Sequence, residues 1–131
     1  YCAFLAPDLL VLGRCDRSVD ARNAQLLDRA AEALAGQRIT GAALRVERIP
    51  MPPRPDGLFR TYTNVILVND LLLVPQYPTV CPELDAQALA LYRRLLPGHE
   101  VVGIDAESLI QRHGALHCIS LTVPEAATRL P

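Results

Sequence analysis

The chain contains an internal repeat, and this repeat limits the folds open to it more than any other feature. The segments AFLAPDLLVLG (3–13) and NVILVNDLLLVPQ (64–76) align without a gap at an offset of 62 residues, so that Leu5, Asp8 and Leu9 meet identical residues. Each segment is an apolar run interrupted by a turn pair, Pro-Asp or Asn-Asp, which is typical of a β-hairpin. The repeat predicts two copies of one unit, each with an apolar face that needs a neighbour to cover it.

Each predicted hairpin is followed by a predicted helix and a further strand. Leucine and alanine recur at helical spacing after Ser18, the expected N-cap, as far as Gly36. The second helix begins at Pro82 and ends before Gly98. The strands expected after the two helices are ALRVERI (43–49) and EVVGI (100–104). The order strand, strand, helix, strand therefore occurs twice and predicts a fold of the α/β class.

The repeats also predict how the chain is divided. Its 131 residues are enough for one domain with a core. The expected parts of that domain are a first unit over 3–50, a Pro-rich link over 50–57, a second unit over 60–104 and the start of a further unit over 105–124. The link PMPPRPDG has four prolines, which indicates a stiff surface loop or, alternatively, a wall or lid over a site. The last part is expected to hold a short helix after Asp105 and a strand, LHCISLTV (116–123).

Charge and cysteine usage exclude several classes of protein. A formal net charge of -1 gives no reason to expect nucleic acid or an acidic membrane surface as a partner. The four cysteines lie far apart, with no Cys-x-x-Cys pair and no histidine at ligand spacing. We therefore expect no metal, no cofactor and no disulfide scaffold, and a reducing cytoplasm as the location. No stretch approaches the roughly 18 apolar residues of a membrane span.

Cys118 is the candidate nucleophile, and the residues alone leave its role open. Free cysteine is among the most buried residue types, so a cysteine in an apolar strand is more often a core thiol than a catalyst. Gly114, a hinge just before the expected strand, favours a side chain that emerges at an edge. On a strand, His117 and Cys118 would point to opposite faces, so a base for the thiol would come from elsewhere.

The other candidates have simpler explanations at this level. Asn64 opens an apolar strand and is most simply a turn or cap residue. Asp105 lies where a strand gives way to a helix, which predicts an N-cap. Cys2, Cys15 and Cys81 have no polar residues clustered around them in the sequence and are interpreted as structural.

Three stretches, in order and spacing, carry a resemblance to a known family. TYTNVILVNDLLLVPQY (61–77), LLPGHEVVGIDAESLI (95–110) and RHGALHCIS (112–120) resemble the C-terminal part of the agmatine deiminase and Porphyromonas-type peptidylarginine deiminase family. The resemblance implies a pentein-type fold, a five-bladed, pseudo-symmetric α/β propeller of strand-strand-helix-strand blades. The chain would hold about two to two and a half of these blades.

The resemblance also implies an activity and site residues. The family hydrolyses a guanidinium C–N bond, so the implied substrates are agmatine and peptidyl or free arginine. Cys118 matches the family nucleophile, Asn64 matches an asparagine that orients the substrate, and Gly114 falls in the substrate-binding segment. Where agmatine deiminases typically carry Gly-Gly-Gly-Asn, this chain has Arg-His-Gly-Ala (112–115), a departure that argues against agmatine.

The same comparison predicts what the chain lacks. The family's catalytic histidine and guanidinium-binding carboxylates belong to motifs upstream of Tyr1. We therefore expect the chain to be inactive alone and to need the N-terminal part of the fold or another chain, with a homo-oligomer as a further option. Two other functions stay open: a non-catalytic pentein-fold binding module, and an amidinotransferase that passes the amidino group to an amine.

Overall fold

The computed structural model of the protein describes residues 1–39, 41–121 and 123. The described chain folds as two successive strand-strand-helix-strand units followed by a short helical segment. The first unit comprises β1 (Cys2–Ala6), β2 (Leu9–Arg14), α1 (Ala21–Leu34), β3 (Arg38–Ile39), β4 (Ala42–Ala43) and β5 (Arg45–Pro50). The second unit comprises β6 (Ile66–Val68), β7 (Leu71–Gln76), α2 (Pro82–Leu95) and β8 (Glu100–Asp105). The final elements are α3 (Glu107–Ile110) and a 3₁₀ helix (His117–Ile119).

The two units share one sheet topology. In the first, β1 pairs antiparallel with β2, and β2 pairs parallel with β5. In the second, β6 pairs antiparallel with β7, and β7 pairs parallel with β8. A parallel pair needs a crossover connection, which α1 supplies in the first unit and α2 in the second. The twofold repeat of strand, strand, helix, strand predicted from the sequence is confirmed.

The hairpin turns have the residues that tight turns require. β1 and β2 are joined across Pro7 and Asp8, and β6 and β7 across Asn69 and Asp70, as the repeat predicts. Asn69 has a φ of 50°, in the left-handed region that asparagine tolerates better than most residues with a side chain. The turn pairs thus set the register of both hairpins.

One apolar cluster joins the two sheets. Leu5, Val11 and Ile49 of the first sheet belong to the same buried cluster as Leu72 and Val74 of the second. The two units therefore cover each other's apolar faces, which is what the repeat requires. In a smaller buried cluster, Leu27 of α1 packs with Leu12 of β2 and with Met51.

Several local expectations about the first unit are wrong. Ser18 is not the N-cap of α1: Asp20 is, and its side chain accepts a hydrogen bond from the Asn23 backbone at 3.1 Å. Ser18 instead donates hydrogen bonds from its backbone N–H and its hydroxyl to the side chain of Asp16. It is therefore part of a local turn and does not cap the helix. The short β3–β4 hairpin has too few residues to show a hydrophobic period, and the pattern did not predict it.

The strand expected over 116–123 is also wrong. Residues 117–119 form a 3₁₀ helix, residues 120 and 121 are irregular, and position 122 lies outside the described residues. The backbone N–H of His117 donates to the side chain of Asn64, a hydrogen bond that replaces a strand ladder with a tertiary contact. His117 and Cys118 were expected to point to opposite faces because they were placed on a strand. In a 3₁₀ helix, with three residues per turn, neighbouring side chains do not alternate between two faces, so that argument no longer applies.

Candidate functional site

Asn64 and Cys118, 54 residues apart in the chain, are in direct contact. The side-chain Nδ2 of Asn64 lies 3.2 Å from the sulfur of Cys118. The Oδ1 atom of the same amide accepts a hydrogen bond of 2.8 Å from the backbone N–H of His117. Asn64 therefore uses both ends of its amide on the segment that carries the thiol, a role beyond the turn or cap that its position suggests.

Buried residues that precede the thiol anchor the Cys118 segment. Ile110 at the end of α3 and Ala115 and Leu116 beyond it are buried, whereas Cys118 is exposed. The segment begins at Asp105, whose side chain accepts a hydrogen bond of 2.9 Å from the backbone N–H of Glu107. The N-cap of α3 is Ala106, so Asp105 lies one residue before the cap position expected for it. The apolar anchors thus present the sulfur to solvent on a fixed turn.

Gly114 and His113 shape the turn before the nucleophile candidate. A Cβ at Gly114 would lie 3.1 Å from the Cβ of Cys118 and 3.7 Å from its sulfur, so glycine leaves room for the thiol. His113 has a φ of 59°, a left-handed conformation that costs a residue with a side chain roughly 1–2 kcal/mol. Packing against Cys118 is what the structure shows for Gly114; its expected role in substrate binding stays a prediction.

Hydrogen bonds lower the pKa of the Cys118 thiol. The backbone N–H of Ala115 and, second, the side-chain amide of Asn64 lower the pKa of Cys118 below its usual value. Desolvation by its slight burial acts in the opposite direction. Hydrogen bonds to the charged form favour that form, so the arrangement raises the fraction of reactive thiolate at neutral pH.

A cavity of about 440 Å³ lies beside Asn64, between the edges of the two sheets. Its lining comes from the first strand of each sheet, from the loop before β6 and from the 3₁₀ segment: Tyr1, Cys2, Ala3, Phe4, Thr61, Thr63, Asn64, Val65, Ile66, Leu67, His117 and Ser120. None of these described lining residues is acidic. The cavity therefore lacks, within the described residues, the carboxylates that would bind a guanidinium.

The four cysteines are free thiols in different surroundings. Cys2 is exposed and lines the cavity beside Asn64, a position that the sequence did not indicate, and its interpretation as a structural residue stays a prediction. No motif in the sequence marks it, because only the packing of β1 beside the loop before β6 brings it there. Burial raises the pKa of the Cys81 thiol and, likewise, that of Cys15, which leaves both less reactive than Cys118.

The Pro-rich link walls a second, larger cavity. Pro50, Pro52 and Arg54 line a space of about 1040 Å³ together with Cys15 and Phe59. The guanidinium of Arg54 lies over the Phe59 ring at 4.5 Å and pairs with Asp20 at 2.7 Å. Asn64 and Cys118 are absent from this lining, so the link is a wall of a separate cavity.

The described residues contain no group of three or more histidine, cysteine or acidic side chains placed to hold a metal ion. Across those same residues, no helix has both the length and the apolar character needed to cross a membrane.

The chain has two ββαβ units, and a thiol that is hydrogen-bonded to the Asn64 side chain follows the second unit. This arrangement places it in the pentein class of α/β propellers, to which the matching solved structures belong. Within that class the chain belongs to the Porphyromonas-type peptidyl-arginine deiminase family, whose model matches residues 1–124. The fold and the family inferred from the three sequence stretches are confirmed.

The relatives give the extent of the match. A provisionally assigned arginine deiminase from Porphyromonas gingivalis is 32% identical, with a TM-score of 0.82 over 95% of this chain and 37% of its own. A solved structure of a provisionally assigned peptidyl-arginine deiminase is 28% identical, with a TM-score of 0.83 over 95% of this chain and 38% of its own. A provisionally named agmatine deiminase of Marinomonas sp. (strain MWYL1) is 26% identical over 92% of this chain and 38% of its own. The chain thus spans under two fifths of the length of these relatives.

Proposed function

We propose that this chain supplies the nucleophile of a guanidino-group deiminase, with Cys118 as the nucleophile and Asn64 as the residue that orients thiol and substrate. The observation that carries the proposal is that the side chain of Asn64 makes two hydrogen bonds to this segment. It donates to the Cys118 sulfur at 3.2 Å and accepts from the backbone N–H of His117 at 2.8 Å. A nucleophile needs an activated thiolate in a fixed direction, and a partner that contacts both the exposed sulfur and the backbone beside it favours both.

The reaction follows from the chemistry of a guanidinium. The Cys118 thiolate attacks the central carbon, a proton is delivered to one nitrogen, and that nitrogen leaves as ammonia. The C–S bond so formed belongs to a covalent amidino intermediate. Water then attacks the same carbon, the C–S bond breaks, and the products are a ureido compound and the regenerated thiol. Because a guanidinium is resonance-stabilised, attack by a soft, polarisable anion is favoured over attack by a hydroxyl.

The substrate class is agmatine or arginine, free or in a peptide, and the expected location is the cytoplasm. Binding the cation needs carboxylates, and the cavity beside Asn64 has none among its described lining residues. We therefore infer that carboxylates and the proton donor come from another part of the assembled protein. This inference fits a chain that covers 37% of the Porphyromonas gingivalis relative.

The experiment that tests this function is a chimera. This chain replaces the matched part of the Porphyromonas gingivalis relative, and ureido product is measured from agmatine and from a peptide ending in arginine. We expect product from at least one substrate, none from the Cys118→Ala chimera, and unchanged product from Cys15→Ala, a matched thiol control in the other cavity. The isolated chain is expected to form no product.

The outcomes separate the open alternatives. Product that persists in the Cys118→Ala chimera would contradict the assignment of the nucleophile. A folded but inactive chimera, with the unmodified relative active, would favour a binding module. Added primary amine tests the amidinotransferase alternative, because transfer would give a new guanidino compound instead of the ureido product.

A further inference from the structure

Three fully buried tyrosines, one within the loop and two outside it, anchor loop 60–64, which ends at Asn64. The hydroxyl of Tyr77 donates to the carbonyl of Thr61 at 3.2 Å, and the hydroxyl of Tyr92 donates to the carbonyl of Tyr62 at 2.8 Å. Tyr62 itself is 0% exposed and donates its hydroxyl to Asp85 at 2.6 Å. Loop 60–64 is therefore tied to β7 and α2, although it has no regular structure of its own.

Asp85 is the centre of this arrangement. Its carboxylate, on a residue 5% exposed, accepts from the Tyr62 hydroxyl and from the backbone N–H of Tyr77, at 3.0 Å and 2.9 Å from its two oxygens. Burying a carboxylate is costly unless hydrogen bonds replace those lost to water. The hydrogen bonds from Tyr62 and Tyr77 offset part of that cost, and burial still raises the pKa of Asp85 above its usual value. Asp85 thus joins the first turn of α2, the end of β7 and loop 60–64 through one side chain.

The loop connects Asp85 to the reactive thiol. Tyr62 precedes Asn64 by two residues, and Asn64 makes both side-chain hydrogen bonds to the Cys118 segment. Movement of Tyr62 would move Asn64, and the exposed sulfur of Cys118 would lose one of the groups that favour its charged form. No other part of the proposed mechanism explains a buried carboxylate at this position.

We propose that Asp85 is a positioning residue for Cys118, acting through Tyr62 and loop 60–64 to keep Asn64 at hydrogen-bond distance from the thiol. This inference rests on the proposed function, in which Cys118 is the nucleophile. It assigns a role to a residue of α2 that touches neither the thiol nor the cavity beside Asn64.

The test is a double-mutant cycle on the 131-residue chain, with the rate of alkylation of Cys118 by iodoacetamide at pH 7 as the measurement. Peptide mass spectrometry identifies Cys118, and a small free thiol added to each reaction serves as the reference rate. Tyr62→Phe removes a single hydroxyl, which donates to Asp85 at 2.6 Å and also lies 3.3 Å from the sulfur of Cys81. A tenfold loss of thiolate lowers the rate about threefold, because a thiolate of higher pKa is the better nucleophile. We expect about a threefold loss in Tyr62→Phe and a similar loss in Asn64→Ala.

The cycle separates positioning from simple destabilisation. If Tyr62 acts through Asn64, the double variant Tyr62→Phe/Asn64→Ala is no slower than Asn64→Ala alone. Asp85→Asn should behave like Tyr62→Phe, since the neutral amide is a weaker acceptor for the hydroxyl. Ile49→Val, a buried change in the other sheet, should lower stability and leave the alkylation rate unchanged. If Tyr62→Phe does not fold, Asp85→Asn takes its place in the cycle, because it weakens the same hydrogen bond between Tyr62 and Asp85.

A folded Tyr62→Phe chain whose Cys118 is alkylated at the wild-type rate would overturn the proposal. A double variant in which the two single-variant decreases in alkylation rate multiply, as independent effects do, would also overturn it. An unchanged rate in Asn64→Ala would overturn it as well, because nothing would remain to be positioned. The assay needs no turnover. Coupling in the cycle together with an inactive chimera would therefore contradict the deiminase function and leave the positioning role standing.

Discussion

Replacement of Gly114 by alanine tests how closely the turn before Cys118 is built around the thiol. The added Cβ would lie 3.1 Å from the Cβ of Cys118, whereas nonbonded carbon atoms prefer about 3.5–4.0 Å. Cys118 must therefore move by roughly half an ångström. The contact of 3.2 Å between its sulfur and Asn64 would lengthen and lose alignment. Gly114 has no positive φ, so the backbone itself accepts alanine.

The expected result is a folded chain with a less reactive thiol. Overpacking costs about 1 kcal/mol of unfolding free energy. The alkylation rate of Cys118 at pH 7 should fall about threefold, because a weaker contact with Asn64 leaves less of the thiol as thiolate. Gly98→Ala is the matched control, because a Cβ there meets no atom within 4 Å. Wild-type alkylation of Cys118 in a folded Gly114→Ala chain would refute the reasoning.

Three further predictions concern stability, measured by urea unfolding. His113→Gly should raise the free energy of unfolding by about 0.5 kcal/mol, because relief of the left-handed strain exceeds the entropy cost of glycine; a loss of stability would contradict this. Hydrogen bonds from Arg60 hold the pKa of the Asp56 carboxyl well below its usual range. The stability that this carboxylate contributes is therefore fully present above the unfolded pKa of about 3.9 and is lost as the pH falls below it. Asp56→Asn should thus be less stable than wild type at pH 7, with a difference that narrows below about pH 4; a constant difference would argue against the pair. Leu72→Ala, which truncates a fully buried side chain of β7, should lower the free energy of unfolding by about 3 kcal/mol; a loss below 1 kcal/mol would mean that the shared core is poorly packed.

The fold was predictable because the local patterns agree with the tertiary structure. Hairpin turn pairs, helical spacing and a strand after each helix occur twice, and a unit with one apolar face needs a neighbour. The first cap was missed because Ser18 and Asp20 are both good cap residues, and only the folded turn at Asp16 decides between them.

The site was less accessible to sequence reasoning than the fold. From its own neighbourhood Cys118 resembles a core thiol in a strand, and Asn64 resembles a cap. Their pairing across 54 residues is a tertiary contact that no local period encodes. The family resemblance identified both residues, whereas the 3₁₀ helix around Cys118, the place of Cys2 in the cavity and the link to Asp85 needed the structure.

The pH dependence of Cys118 alkylation, compared between the wild-type chain and Asn64→Ala, tests the central claim most directly. The claim is that Asn64 and the Ala115 backbone make Cys118 an activated nucleophile. We predict a wild-type midpoint below the usual thiol pKa and a higher midpoint in Asn64→Ala. A wild-type midpoint at or above the usual value, unmoved in Asn64→Ala, would contradict the account and identify Cys118 as an ordinary surface thiol.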